Sequence, residues 1–443
     1  MNTRNSFQAK RIAIIGLGPH GEMVADVKFL IKSNALVSVY DLRSEARLKN
    51  HIVFLRSVGL ANYVCGSVPP DDLLDMDLII LSHEYPRESS FLKSAREKGI
   101  PIEYPETLFF RMAPPVTVVG IMGACGKATV MSVLSPLLDM ACEADGTQNM
   151  FSLDPESGDG IITALKKIKA GDIALIRIVE PMMRELHDMR LSPHVAVFTT
   201  VPPKGSYASS PFEILSYQTY NNFIVASDEV IDAIHLYKFQ PKAKMLRTKA
   251  SLVPAGWTFG TGEAGLWGHD KDNVALALQV ARLFKVPDEV SQTILEKWKP
   301  LKGRIELVKK IKNIEFYNDT ASVSPASTIV AIDSLAKERD LVLIVGGADA
   351  GEDYRELYAV LPKHVHALVL LPGSGTLKER KALGELEHVE VLSAPSIEEA
   401  VRMARDKARP GDKVLFSPGF AAGGMESSRK ERGEAFVRAV RSL

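Results

Sequence analysis

The chain is predicted to be an α/β protein of three domains, each built on a mostly parallel, doubly wound sheet. Three observations predict this class. Short continuous apolar runs alternate with helical segments from one end to the other, the pattern of parallel strands covered on both faces. Several of these runs end in glycine: RIAIIGLG at 11–18, VTVVGIMG at 116–123, LVLIVGG at 341–347, ALVLLPG at 367–373 and KVLFSPG at 413–419. The 443 residues also exceed what one ordinary core holds, so two to four domains are expected.

Composition narrows the class of function. The 46% hydrophobic and 24% charged fractions are those of a soluble globular protein. Fifty-four basic residues balance fifty-four acidic ones, so net charge points to neither a nucleic-acid nor a membrane partner. An anionic small molecule needs only a local site and remains allowed. Cys65, Cys125 and Cys142 show no CxxC or Cys/His ligand spacing, which fits free thiols in a reducing compartment. The polar start MNTRNSFQAKR and the lack of a long apolar run place the expected location in the cytoplasm.

The elements follow in order. RIAIIGLGPHGEMVADVKFLIKSNALVSVYDLR reads as strand, glycine turn, helix and strand, then LIILS (78–82) as a strand and SFLKSAREKG (90–99) as a helix. The proline-marked RMAPP, 111–115, sets the first boundary, giving a first domain over 1–112. A central domain, 113–300, opens with VTVVGIMGACGKATVMSVLSPLL and continues through strands at 173–179, 195–200 and 223–227. NVALALQVARLF after Gly268 has helical periodicity, and KPLKGR (299–304) marks the second boundary. The third domain, 301–443, repeats the strand-to-glycine pattern.

Two turns carry chemistry. GLGPHG sets Gly16, Gly18 and Gly21 at GxGxxG spacing between a strand and a helix. Such a turn leaves helix N–H groups facing an anion. Asp41 ends the next strand, where a carboxylate reaches a ribose or base. By itself this signal also fits another nucleotide or a plain tight turn. The segment GIMGACGKAT, 120–129, is more specific. Gly123, Ala124, Cys125 and Gly126 form a loop whose amides would cradle ATP phosphates, with Lys127 supplying positive charge. A glycine turn with a solvated lysine is the plainer reading. Ala128 stands where such loops usually place a magnesium-holding Ser or Thr, and Thr129 follows one position late.

These turns, with GHDKDN (268–273), LKGRIE (301–306), YNDTASVSPAST (317–328), VGGADAGEDY (345–354) and FSPGFAAGGMESSRKERGEAF (416–436), resemble the Mur ligase family over essentially the whole chain. The D-glutamate-adding members are the most similar. The resemblance implies a Rossmann-like first domain, a P-loop ATPase-like central domain and a Rossmann-like third domain, in a monomer. It implies ATP-driven joining of an amino acid, D-glutamate, to UDP-N-acetylmuramoyl-L-alanine through an acyl phosphate, a step of peptidoglycan precursor synthesis. Gly16, Gly18, Asp41 and Arg43 would bind the UDP part, and Lys127 the ATP phosphates. Asn273, Arg304 and Asp319 match further ATP contacts. Thr129 and Glu180 would serve Mg2+; Glu180 matches only with a one-residue gap, an ungapped register placing Val179 there. Ser417 and Arg429 fall in the amino-acid pocket.

The chain departs from that family at several positions. No histidine occurs between His194 and His235, and no lysine within FEILSYQTYNN, 212–222, where a modified metal-site lysine belongs; Glu213 offers a carboxylate there. Ala321 and Ala350 replace lysines, Val323 a threonine, Ala422 a serine and Arg429 a phenylalanine. Three other readings therefore stand beside the active ligase. They are a ligase for another carboxylate substrate, a nucleotide-binding pseudoenzyme, and an NAD-dependent dehydrogenase on GLGPHG alone. The last explains neither Lys127 nor the third domain. His20, Trp257 and Trp267 read as structural or exposed, and Met182 and Met183 as core.

Overall fold

The computed structural model describes residues 6–18, 21–67, 75–83, 85, 89–155, 157–202, 210–257, 259, 268–299, 301–422 and 429–443. The expected three sheets follow one another along the chain. The first contains β1 (Arg11–Ile15), β2 (Leu36–Asp41), β3 (Asn62–Cys65), β4 (Leu78–Leu81) and β5 (Ile102–Glu103). Its order is β3-β2-β1-β4-β5, all parallel. Alternate residues of β1 feed two apolar clusters, Ile12 and Ile14 on one face and Ala13 and Ile15 on the other. That two-sided burial is what an unbroken apolar run in a parallel sheet requires.

The second sheet contains β6 (Thr117–Met122), β7 (Met150–Leu153), β8 (Ile173–Arg177), β9 (Val195–Phe198), β10 (Phe223–Ser227) and β11 (Lys244–Thr248). The order β11-β10-β9-β6-β8-β7 puts β6 at the point where the winding reverses. A ligand crevice forms where neighbouring crossovers leave in opposite directions. The glycine loop follows β6, so topology places it at that crevice.

The third sheet contains β12 (Glu306–Ile311), β13 (Ile314–Asn318), β14 (Leu341–Val345), β15 (Val365–Leu370), β16 (Glu390–Ser393) and β17 (Lys413–Phe416). Its order is β12-β13-β17-β14-β15-β16. β12 pairs with β13 antiparallel, and the other pairings are parallel. The half-exposed pattern of ELVKKI suits that edge position. Leu341, Leu343 and Val345 face one apolar cluster, Val342 and Ile344 the other. The helix Pro325–Leu335 begins with Ser324 accepting from Ser327 N at 3.4 Å and proline in its first turn, both favoured at helix starts.

By its internal contacts the chain divides into two compact units. One holds Met1–Gly123, Val130–Leu252 and Ala275–Ser291; the other holds Ala124–Thr129, Val253–Val274 and Gln292–Leu443. The first unit thus carries both of the first two sheets. Asp26, on the helix Val24–Lys32, is a tie between them: it accepts from Ile161 N at 3.1 Å and Thr163 N at 3.2 Å. Val27 and Leu30 of that helix share one apolar cluster with Ile162 and Leu165. Met182 and Met183 are buried, as core residues are. His20 and Trp267 lie outside the described residues. No helix among the described residues is long and apolar enough to cross a membrane.

Candidate active site

In the first unit, the glycine turn after β1 meets the end of β2. Gly16 N donates to Tyr40 O at 2.7 Å. Asp41 Oδ2 accepts from Leu17 N at 2.9 Å, and Arg43 donates to both carboxylate oxygens at 2.9 and 2.6 Å. Burial pushes the Asp41 carboxyl up, but these bonds outweigh it and hold the group below its ordinary range. The four residues expected to hold a nucleotide, Gly16, Gly18, Asp41 and Arg43, are thus gathered at the ends of two adjacent strands.

Beside this turn lies a cavity of about 250 Å3 lined by Gly18, Glu22, Asp26, Ser82, His83 and Glu106 among others. His83 and Glu106 are 3.1 Å apart, and the His83 ring stacks on Tyr104 at 4.8 Å. Asp154, also on the wall, pairs with the buried Arg177 at 2.8 Å. Apart from Gly18, these residues stand outside the sequence motifs. One signal was present: Asp26 shares the helical stripe of Met23, Val27 and Leu30, where a carboxylate needs fixed donors.

At β6 the second glycine loop leaves the sheet with Gly123 at φ +132°, and Gly126 turns it into the helix Lys127–Asp145 at φ +82°. In the first unit a Cβ on Gly123 would stand 2.3 Å from Thr199 Oγ1, and that hydroxyl donates to Met122 O at 3.1 Å. Glu180 opens the helix Glu180–Asp188 after β8. β8 pairs with β6 as far as Ile121 and Arg177, and Ile178 N continues the pairing to Ile121 O at 2.9 Å. Glu180 therefore lies at the same sheet edge as the end of β6.

In the second unit, Asn273 is buried against the loop: a Cβ on Gly126 would lie 2.5 Å from its Oδ1. Lys127 Nζ donates to Ala124 O at 3.3 Å, so the ammonium leans on its own loop. Cys125 and Ala128 are half-buried, while Thr129 is only 6% exposed. Gly126→Ala adds strain at a positive φ and collides with Asn273. The expected result is at least a tenfold loss of ADP affinity by calorimetry, with a destabilisation of about 1–3 kcal/mol by melting. Undiminished ADP binding would show that this turn does not form the phosphate cradle.

The third sheet gathers a second predicted group. Asp319 is buried, accepting from Ile305 N at 3.2 Å and Ser417 Oγ at 2.7 Å. Ser417 also bonds Thr328 Oγ1 at 2.9 Å. Burial raises the Asp319 pKa to about 6, opposed by its hydrogen bonds and by the nearby charge of Arg304. Asp319, Arg304 and Ser417 are thus brought together. Arg429 starts the final helix, Arg429–Arg441, and is half-buried. One turn on, Arg432 is 3% exposed, donating to Gly346 O and Phe420 O, each at 3.3 Å. The family resemblance points to Arg429 and not to Arg432, because helical phase alone does not say which arginine turns inward.

Comparison with known proteins finds similar chains over the full length. The model of the Mur ligase glutamate ligase domain matches residues 303–420. A UDP-N-acetylmuramoylalanine–D-glutamate ligase of Roseiflexus sp. (strain RS-1) is 28% identical, covering 98% of this chain and 99% of the relative. Two Thermotoga maritima structures share the fold. The UDP-N-acetylmuramate–alanine ligase MurC aligns with a TM-score of 0.58 at 16% identity, over 98% of this chain and 99% of that one. The MurF ligase, solved in complex with ADP, aligns with a TM-score of 0.56 at 16% identity, over 100% and 97%. With its three sheets and its glycine loops, the chain is similar over its whole length to Mur ligases, and its residues 303–420 match their glutamate ligase domain.

Proposed function

We propose that the chain is an ATP-dependent ligase that joins an amino acid to the carboxylate of UDP-N-acetylmuramoyl-L-alanine. The observation that carries this reading is the loop between β6 and the helix Lys127–Asp145, glycine-bent at both ends and capped by a lysine. The Roseiflexus relative, whose name states this substrate and D-glutamate, supports the choice of acceptor and amino acid.

In this reading ATP lies on the loop amides of residues 123–129 with Lys127 at its phosphates, and Asn273 and Arg304 are further contacts. Gly16, Gly18, Asp41 and Arg43 receive the UDP part. Asp319, Ser417 and Arg429 belong to the third-domain site. A substrate carboxylate oxygen attacks the γ-phosphorus and ADP leaves, giving an acyl phosphate. The amine then attacks the acyl carbon, and phosphate departs as the amide forms. Cations and aligned amides lower the barrier by neutralising charge on the oxygens in transfer. Glu180 would offer a carboxylate and Thr129 a hydroxyl, oxygen donors of the kind a hard Mg2+ takes. When bound, the ion offsets phosphate charge.

A second reading, a nucleotide-binding protein without turnover, is favoured by Ala321 and Ala350, which place no charge where the family has lysines. One assay separates the two. The full chain is incubated with ATP, Mg2+, UDP-N-acetylmuramoyl-L-alanine and a panel of amino acids, and phosphate release is followed. Release that depends on both acceptor and amino acid supports the ligase. ADP binding without such release supports the second reading.

A further inference from the structure

The cavity of about 250 Å3 beside Gly18 lies wholly within the first unit. Met23, Ile161 and Val179 give it apolar faces. Polar groups stand between them. Ser82, 6% exposed, is on the wall, and its hydroxyl has no hydrogen-bond partner among the described residues. Asp154 is on the wall too, with Arg177 Nε 2.8 Å from its Oδ1. Arg177 ends β8 and is 4% exposed, whereas 22% of the Asp154 side chain remains open. A guanidinium taken out of water is costly even when paired, and apolar residues of similar volume would often serve stability as well or better. What the pair does provide is a carboxylate fixed at the edge of a cavity.

We propose that Asp154 is a specificity-determining residue for the sugar joined to UDP, and that Arg177 is the residue that positions it. The inference rests on the reading that the crevice at Gly16 and Gly18 takes the UDP part of the substrate. An ionised carboxylate only accepts hydrogen bonds, and the hydroxyls and acetamido N–H of a sugar are donors. Bonds to a charged acceptor are stronger than neutral ones. The Ser82 hydroxyl can donate or accept, and the apolar faces pack against ring C–H groups and the acetyl methyl. A site built to bond such groups rejects an analogue that lacks them. Arg177 acts at one remove, through its Nε on Asp154 Oδ1.

Calorimetry with UDP, UDP-N-acetylmuramoyl-L-alanine and ADP on the full chain tests the proposal. The native protein should bind the UDP-linked sugar about tenfold or more tighter than UDP, the yield of one or two charge-assisted hydrogen bonds. In the double variant Asp154→Leu with Arg177→Met, which leaves no buried charge unpaired, that difference should fall to about threefold or less while UDP and ADP affinities hold. Arg177→Lys keeps the charge without the planar fork and should retain part of the difference. Asp154→Asn keeps one acceptor oxygen and should do the same. A difference that survives intact in the double variant overturns the role of the pair. UDP and the UDP-linked sugar weakened by the same factor would make the pair structural, which also overturns it. UDP bound by the native protein with no gain from the sugar overturns the inference and leaves the crevice to UDP. Neither ligand bound, with ADP binding retained, overturns both.

Discussion

Lys127→Ala is expected to lower acceptor-dependent phosphate release by about 10²–10³-fold, the cost of removing one preorganised charge from a phosphoryl-transfer site. The Lys127 ammonium donates to Ala124 O in an exposed bond, to a neutral carbonyl that an incoming phosphate can replace as partner. A charge-assisted bond to phosphate is shorter and roughly twice as strong as a neutral one, so the exchange favours bound nucleotide. Lys127 heads its helix and lies outside the apolar core; its loss should leave the melting temperature nearly unchanged. Lys127→Arg keeps the charge but changes its reach and should retain part of the rate. A full rate in the alanine variant would mean that another group neutralises the phosphates.

The second large effect is a pH dependence centred on Asp26. Burial raises its pKa to about 7, a cause partly opposed by the Thr163, Ile161 and Ile162 amides and reinforced by the charge of Glu106. A carboxyl with a raised folded pKa binds its proton more tightly folded than unfolded. Its stabilising contribution is therefore fully present below the unfolded value near 3.8 and is lost as pH rises through 7. A shift of about three pKa units corresponds to ~4 kcal/mol as an upper bound. Asp319, raised to about 6 in the second unit, acts in the same direction over a narrower window. Denaturant unfolding between pH 4 and 8 should show stability falling as pH rises. Asp26→Asn should flatten the part of that slope owed to residue 26. It should also cost about 1–3 kcal/mol at pH 5, because an amide cannot accept from both Ile161 N and Thr163 N. The difference from the native chain should then narrow toward pH 8. Parallel pH profiles for the two proteins would sink the assignment.

The fold was largely legible because its signal is local. An unbroken run such as LVLIV can satisfy its backbone and bury both faces only in a covered sheet, and β14 does so. The glycine loop was legible for a similar reason, since backbone conformation at Gly123 and Gly126 depends on the absence of a side chain. Asp41 and Arg43 were found two residues apart and bond directly. Short spacings survive folding unchanged.

The sequence by itself determined the α/β class, the positions of both glycine turns and the order of the three sheets, all of which follow from spacing along one chain. Only the tertiary structure decided the long-range partners. Asp26 meets Ile161 and Thr163 across 135 and 137 positions, and His83 reaches Glu106 across 23. Asp319 meets Ser417 across 98, and Arg432 rather than Arg429 turns deepest into its helix packing. The reason is physical. A buried charge is stabilised by donors that chain folding brings to it, and no local period encodes where those donors come from. The carboxylate of Glu22 over Gly18 shows the limit most plainly. GxGxxG fixes the turn along the chain, but only the folded turn reveals that the Glu22 carboxylate packs against the Gly18 α-carbon.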